Sequence, residues 1–112
     1  MAYDENLAAR IRDLSAGTAD VREQKMFGGL AFLVHGNMAM AASGQGGLLA
    51  RVDPDEGDRL LDGDRVTLMS IGGRRPMRGW LRVSAELVSD DAALREWVDR
   101  AVAYAASLPP KG

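Results

Sequence analysis

The sequence predicts an α+β fold, an antiparallel sheet of about five to six strands packed by N- and C-terminal helices in the order αββββαββα. Three observations lead there. Apolar residues recur at helical spacing near both ends of the chain. Between the ends the pattern switches to period two, in two blocks at residues 21–52 and 65–84. The strands within each block follow one another directly, with no helix after each strand as a parallel sheet requires.

The first helix starts after Asp4 and ends near Gly17. Leu7, Ile11 and Leu14 form its apolar stripe, with Arg10, Arg12 and Asp13 on the wet side. Val21–Met26 is more polar and reads as an edge strand. Leu30–His35 and Met38–Ser43 follow, then Leu48–Val52 after the flexible turn Gly44-Gln45-Gly46-Gly47. Asp53-Pro54-Asp55-Glu56 is a helix start: an acid at the N-cap, proline at the first helical position and glutamate two residues later. Leu60 and Leu61 are expected to bury, and Gly63 to stop the helix. Arg65–Ile71 and Trp80–Ser84 form a second hairpin around a glycine- and proline-rich loop. In the last helix, capped by Ser89 or Asp90, Leu94, Trp97, Val98, Ala101, Val102, Ala105 and Leu108 make a broad stripe that Pro109-Pro110 ends.

Gly36-Asn37 suits a two-residue type II′ turn between the second and third strands. His35 then pairs with Met38, Leu33 with Met40 and Ala31 with Ala42. One face carries Ala31, Leu33, His35, Met38, Met40 and Ala42, the other Leu30, Phe32, Val34, Ala39 and Ala41. Both are apolar, whereas a sheet wet on one side alternates. Helices account for one face. The other is left for the remaining helix or for a second copy of the chain, as a homodimer.

At 112 residues this is a single domain, 1–112. Apolar and charged fractions of 46% and 27% are those of a globular chain, and a net charge of −2 argues against a surface that embraces nucleic acid on all sides. The absence of cysteine removes thiolate zinc sites and cysteine nucleophiles. The acidic start Asp4-Glu5 lacks the basic and apolar regions of a signal peptide, and no apolar run is long enough for a bilayer, so a cytoplasmic protein without a membrane partner is expected.

Candidate chemistry is sparse. His35, the only histidine, has no partner fixed by spacing and reads as a half-exposed hairpin residue. Asp53, Asp55, Glu56, Asp58, Asp62 and Asp64 read as a cap and a solvated face, and Asp90-Asp91 as a cap pair. No catalytic residue, metal ligand or cofactor is expected. Met26, Phe27, Gly28 and Gly29 lack the following helix and the lysine of a phosphate-binding loop. They read as a scaffold motif, a bend or bulge with Phe27 packed. The contrast is residues 72–80, Gly-Gly-Arg-Arg-Pro-Met-Arg-Gly-Trp. Between Asp64 and Glu86 the charged residues are Arg65, Arg74, Arg75, Arg78 and Arg82, a local positive segment in an acidic chain. Arg74, Arg75, Arg78 and Trp80 are the candidate contact surface, with charge-assisted bonds from the arginines and an anchor from the ring. The competing reading makes Trp80 core and pairs the arginines with the acidic helix at 53–62.

The segment KMFGGLAFLVHGNMAMAAS, the GRRPMRGW loop and the C-terminal helix ending LPPK resemble the N-terminal domain of the TfoX/Sxy competence regulators, along nearly the whole chain from Tyr3 to Lys111. The resemblance implies an α+β domain and a regulatory protein in place of an enzyme, with a protein partner in the transcription machinery. The longer relatives activate DNA-uptake genes and work with the cyclic-AMP receptor protein. The chain departs from those regulators in stopping at Gly112, so a stand-alone single-domain member without their second, helical domain is expected. The alternative function is binding of nucleic acid or a phosphate ligand through the Arg74/Arg75/Arg78 loop.

Overall fold

The computed structural model describes residues 3–18, 20–26, 28–69 and 77–109. Asp4 caps α1 (Glu5–Leu14), its carboxylate accepting from the amides of Asn6 and Leu7 at 2.9 and 3.1 Å. Then come β1 (Val21–Met26), β2 (Gly29–Val34), β3 (Asn37–Ala42), β4 (Leu48–Arg51), α2 (Pro54–Leu60), β5 (Val66–Leu68), β6 (Trp80–Val83), the single turn α3 (Ala85–Val88) and α4 (Asp91–Ser107). The α+β architecture and element order are those expected, with α3 added. Asp90 is the cap of α4, accepting from the Ala93 amide at 2.9 Å.

Strands lie in the order β1-β2-β3-β4-β6-β5, every neighbouring pair antiparallel. The polar β1 is at one edge. The β5–β6 hairpin docks through its second strand, because α2 carries the chain past β4 before β5 begins. Leu7 and Ile11 of α1 and Leu94, Trp97, Val98 and Ala101 of α4 pack on Leu30, Phe32, Val34, Met40, Leu48, Leu81 and Val83 of the sheet. This is the main core, and because α1 and α4 each lay one apolar stripe on the same sheet face, both terminal segments are amphipathic.

The central hairpin differs from expectation by one residue. Val34 pairs with Asn37, so His35-Gly36 is the turn. Both turn residues have positive φ, 53° and 80°, as a type I′ turn requires. Asn37 is 2% exposed and its Nδ2 donates to the Pro109 carbonyl at 3.0 Å. A tertiary bond to the end of α4 therefore holds Asn37 in the strand. A register shift between Phe32 and Leu33, which pair with Met40 and Met38, leaves Ala39 as a bulge residue. The slip moves Met40 and Ala42 onto the Phe32 face and Ala41 onto the opposite one. Both faces remain apolar. The second holds a smaller cluster of Ala31, Met38, Ala41, Leu49 and Met69, with Met26, Leu33 and Trp80 packed against it. No residue of α1–α4 belongs to that cluster among the described residues.

Leu61 is also corrected: it is 40% exposed. It already caps α2 with extended backbone, so it has left the helix's inner face. The residue of α2 that buries is Gly57.

Edge strand β1 is tied to α1 by Arg12, which donates to both carboxylate oxygens of Glu23 at 2.6 and 2.8 Å. These hydrogen bonds hold the Glu23 carboxyl below its ordinary value of 4.5 and raise Arg12 above its own. A carboxyl depressed in the folded state adds stability that is complete above its unfolded value and lost as pH falls through the folded one. Acid titration of the Tm is therefore expected to be shallower below about pH 4.5 in Glu23→Gln than in the parent. The difference is small, because both side chains are partly solvated. Parallel curves for the two proteins would refute the assignment.

Candidate functional site

The stretch from Met77 to Arg82 divides its side chains between two sides of the sheet. The chain returns at Gly79, whose φ is 82° and whose carbonyl accepts from the Val52 amide at 2.8 Å. A Cβ on Gly79 would stand 2.6 Å from the Val52 carbonyl oxygen, so only glycine allows this approach. Gly57 of α2 sits against the same point, its own added Cβ 3.2 Å from the Gly79 Cα. These two glycine-permitted approaches place α2 beside the 77–79 turn.

α2 is held in register by Asp53, whose carboxylate accepts from the amides of Asp55 and Glu56, each at 3.1 Å. Asp55 and Asp58 then share a helix face. Arg78 reaches both. Its Nη2 donates to Asp58 Oδ2 at 2.7 Å and to Asp55 Oδ1 at 2.9 Å, and its Nε donates to Asp58 at 3.2 Å. Its hydrogen bonds to Asp58, then to Asp55, raise the Arg78 guanidinium above its ordinary value. Two carboxylates match one cation, so Arg78 is a clasp between turn and helix, with its charge already met. Arg74 and Arg75 lie outside the described residues.

Trp80 points the other way. It pairs with Arg51 across β4–β6 and packs against the second apolar cluster. The Arg51 guanidinium lies 4.9 Å from the Trp80 ring centroid and 5.7 Å from that of Tyr104 on α4. Such stacking holds the planar group while leaving its N–H edge free to donate. Arg82, two residues after Trp80 and on the same face, donates from Nη1 to Ser43 Oγ at 3.2 Å. Met26 joins Trp80 on this face. Met26 pairs with Gly29 at the end of the β1–β2 hairpin. Gly28 has φ 75°. A Cβ on Gly29 would collide with the Ala42 carbonyl oxygen. Phe27 lies outside the described residues.

Of the candidate contact residues, then, Arg78 and Trp80 diverge, while Trp80 and Met26 are brought to one face. Arg51, Arg82 and Tyr104 were not singled out from the sequence. The available signal was the shared alternation of Leu49-Ala50-Arg51 and Trp80-Leu81-Arg82, which sets an arginine beside apolar side chains on one face of each strand. Elsewhere, a groove of about 480 Å³ between α1 and α4 is lined by Arg10, Asp13, Asp91 and Arg95, charges that balance. Arg10 donates to Asp91 at 2.7 Å there. His35 Nδ1 stands 3.8 Å from Asp20 Oδ2 at the central turn, with its side chain 39% exposed.

The family model described as the TfoX N-terminal domain matches residues 13–105. The chain belongs to the TfoX N-terminal domain family. No characterised protein and no solved structure gives a match. The part of this TfoX N-terminal domain that is matched contains every strand, the Arg78 clasp and the Arg51–Trp80–Tyr104 stack. No helix among its described residues is long and apolar enough to cross a membrane.

Proposed function

We propose that this TfoX N-terminal domain is a non-catalytic regulatory module that acts by binding another protein. The family match over residues 13–105 is the observation that carries the reading. Resemblance to the competence regulators extends it to transcription and to the cyclic-AMP receptor protein as partner. A half-buried tryptophan stacked by arginine adds support, since Trp and Arg are the residues on which interface energy concentrates. A cytoplasmic location belongs to the same reading.

The decisive experiment removes the gene from its host and follows transcripts, while the tagged full chain is titrated with purified cyclic-AMP receptor protein. A defined set of altered transcripts together with saturable binding is expected. Unchanged transcripts with no binding reject the regulatory reading. Binding of nucleic acid or phosphate through Arg74, Arg75 and Arg78 competes with it and predicts affinity that falls steeply with salt. Against that alternative stands Arg78, whose charge is matched by Asp55 and Asp58. A homodimer is a separate part of the proposal. The floor of the second apolar face is 0–7% exposed in a single chain, so its dryness does not itself call for a second copy. Light scattering on the purified chain measures the mass directly.

A further inference from the structure

We infer that the sheet face opposite the main core, bordered by Tyr104 of α4 where it stacks on Arg51, is the docking surface of this domain, and that its occupant is an acidic segment of a partner protein, its carboxylates received by Arg51 and Arg82. The inference rests on the protein-binding reading above and assigns it a place.

Register defines the face. Residues opposite one another in antiparallel strands point to the same side. Starting from Ala31, Ala41 and Leu49 of the second cluster, the pairings place Arg22 on β1, Arg51 on β4 and Trp80 and Arg82 on β6 on that side. No strand residue placed there is acidic among the described residues. Glu23, the acid of β1, lies on the opposite side and is bound to Arg12. A chain of net charge −2 has thus set three arginines on a single sheet face.

Arg10, Arg12, Arg22, Arg65 and Arg78 each have a carboxylate within 4 Å. Arg51, Arg59, Arg82, Arg95 and Arg100 have none among the described residues, and of these Arg51 and Arg82 lie on this sheet face, half-buried and held in place. Rings hold Arg51, and a hydroxyl holds one nitrogen of Arg82. A guanidinium carries five N–H donors, so each keeps donors unspent. A positioned, unpaired guanidinium loses little freedom on accepting a carboxylate, which favours binding. Beside them Leu33 and Trp80 offer partly exposed apolar area over a buried floor.

The neighbours decide between protein and nucleic acid. Single strands bind by stacking bases on exposed aromatic rings. Here Arg51 already covers one side of the Trp80 ring, and the cluster beneath is aliphatic and methionine-rich. Methionine, tryptophan and arginine together are the composition of a protein interface core.

The test uses the full chain and a labelled synthetic peptide of glutamates interspersed with leucines, followed by fluorescence anisotropy. The peptide is expected to bind, to weaken as salt is added, and to bind about tenfold or more weakly to Arg51→Gln/Arg82→Gln. Arg78→Gln should bind as the parent does. Equal binding of a glutamine-for-glutamate peptide, or undiminished binding by the double variant, overturns the proposal. Tighter binding of a single-stranded oligonucleotide overturns it in favour of nucleic acid. If Arg51→Gln lowers the Tm, Arg82→Gln alone decides, since it leaves the aromatic stack intact. Transcript changes and receptor-protein binding that persist in the double variant reject this site and leave the regulatory reading standing. Loss of both already in the parent rejects the reading itself.

Discussion

Gly29→Ala is expected to cost ~3 kcal/mol, at the upper end for steric overpacking, and to lower the Tm by roughly 10 °C. The added Cβ would meet the carbonyl oxygen of Ala42 on β3, with the Gly44 amide at 3.1 Å behind it. Both obstacles are backbone, and Ala42 is pinned by pairing with Leu30 on one side and Leu48 on the other. No side-chain rotation relieves the collision, so strands must part. Gly28→Ala is the control. Its Cβ meets nothing within 4 Å, and only the positive φ of 75° is strained, at about 1–2 kcal/mol. Thermal melts of the two variants measure the difference directly. A larger loss for Gly28→Ala than for Gly29→Ala would show that turn conformation, not strand approach, is why this glycine pair is needed.

Phe32→Ala is expected to cost about 3–5 kcal/mol, the range for deleting a buried aromatic side chain. Phe32 is fully buried and faces both α1 and α4 through the main core. Removal leaves a cavity that neighbours from three elements line, and they cannot all close on it. Its neighbour Leu33 points to the side opposite the main core and is only partly buried, so Leu33→Ala should cost clearly less. Urea unfolding with unchanged m-values separates these losses from changes in the unfolded chain. Equal losses for both would contradict the placement of the helices on one side of the sheet.

Much of this architecture was legible because its signals are local. Asp4, Asp53 and Asp90 mark helix starts by their own side chains, each accepting from amides two or three residues on. The stripe from Leu94 to Ala105 needs only helical period to be seen. α3 was missed because four residues are too few to show a period. The central turn was misplaced by one residue because Gly36-Asn37 and His35-Gly36 are both acceptable turn pairs, and the bond from Asn37 to Pro109 that chooses between them spans 72 residues. The bulge at Ala39 has no local mark either. Of the candidate site, Trp80 was legible as an aromatic beside a cationic loop. That Arg78 would turn to α2 while Trp80 turned to Arg51 was not.

The amino-acid order by itself settled the strands and the helices other than α3, the antiparallel class of the sheet, and the fact that its centre is apolar on both sides. These follow from caps, period and alternation, which act within a few residues. Only the folded chain decided which face each central side chain occupies and which arginines are neutralised. A one-residue register slip reverses every side chain in a strand, and an ion pair exists only where two distant elements meet. For that reason the sequence shows a local cationic segment in an acidic chain, while the placement of Arg51 and Arg82 on one sheet face, without a carboxylate among the described residues, is a property of tertiary packing.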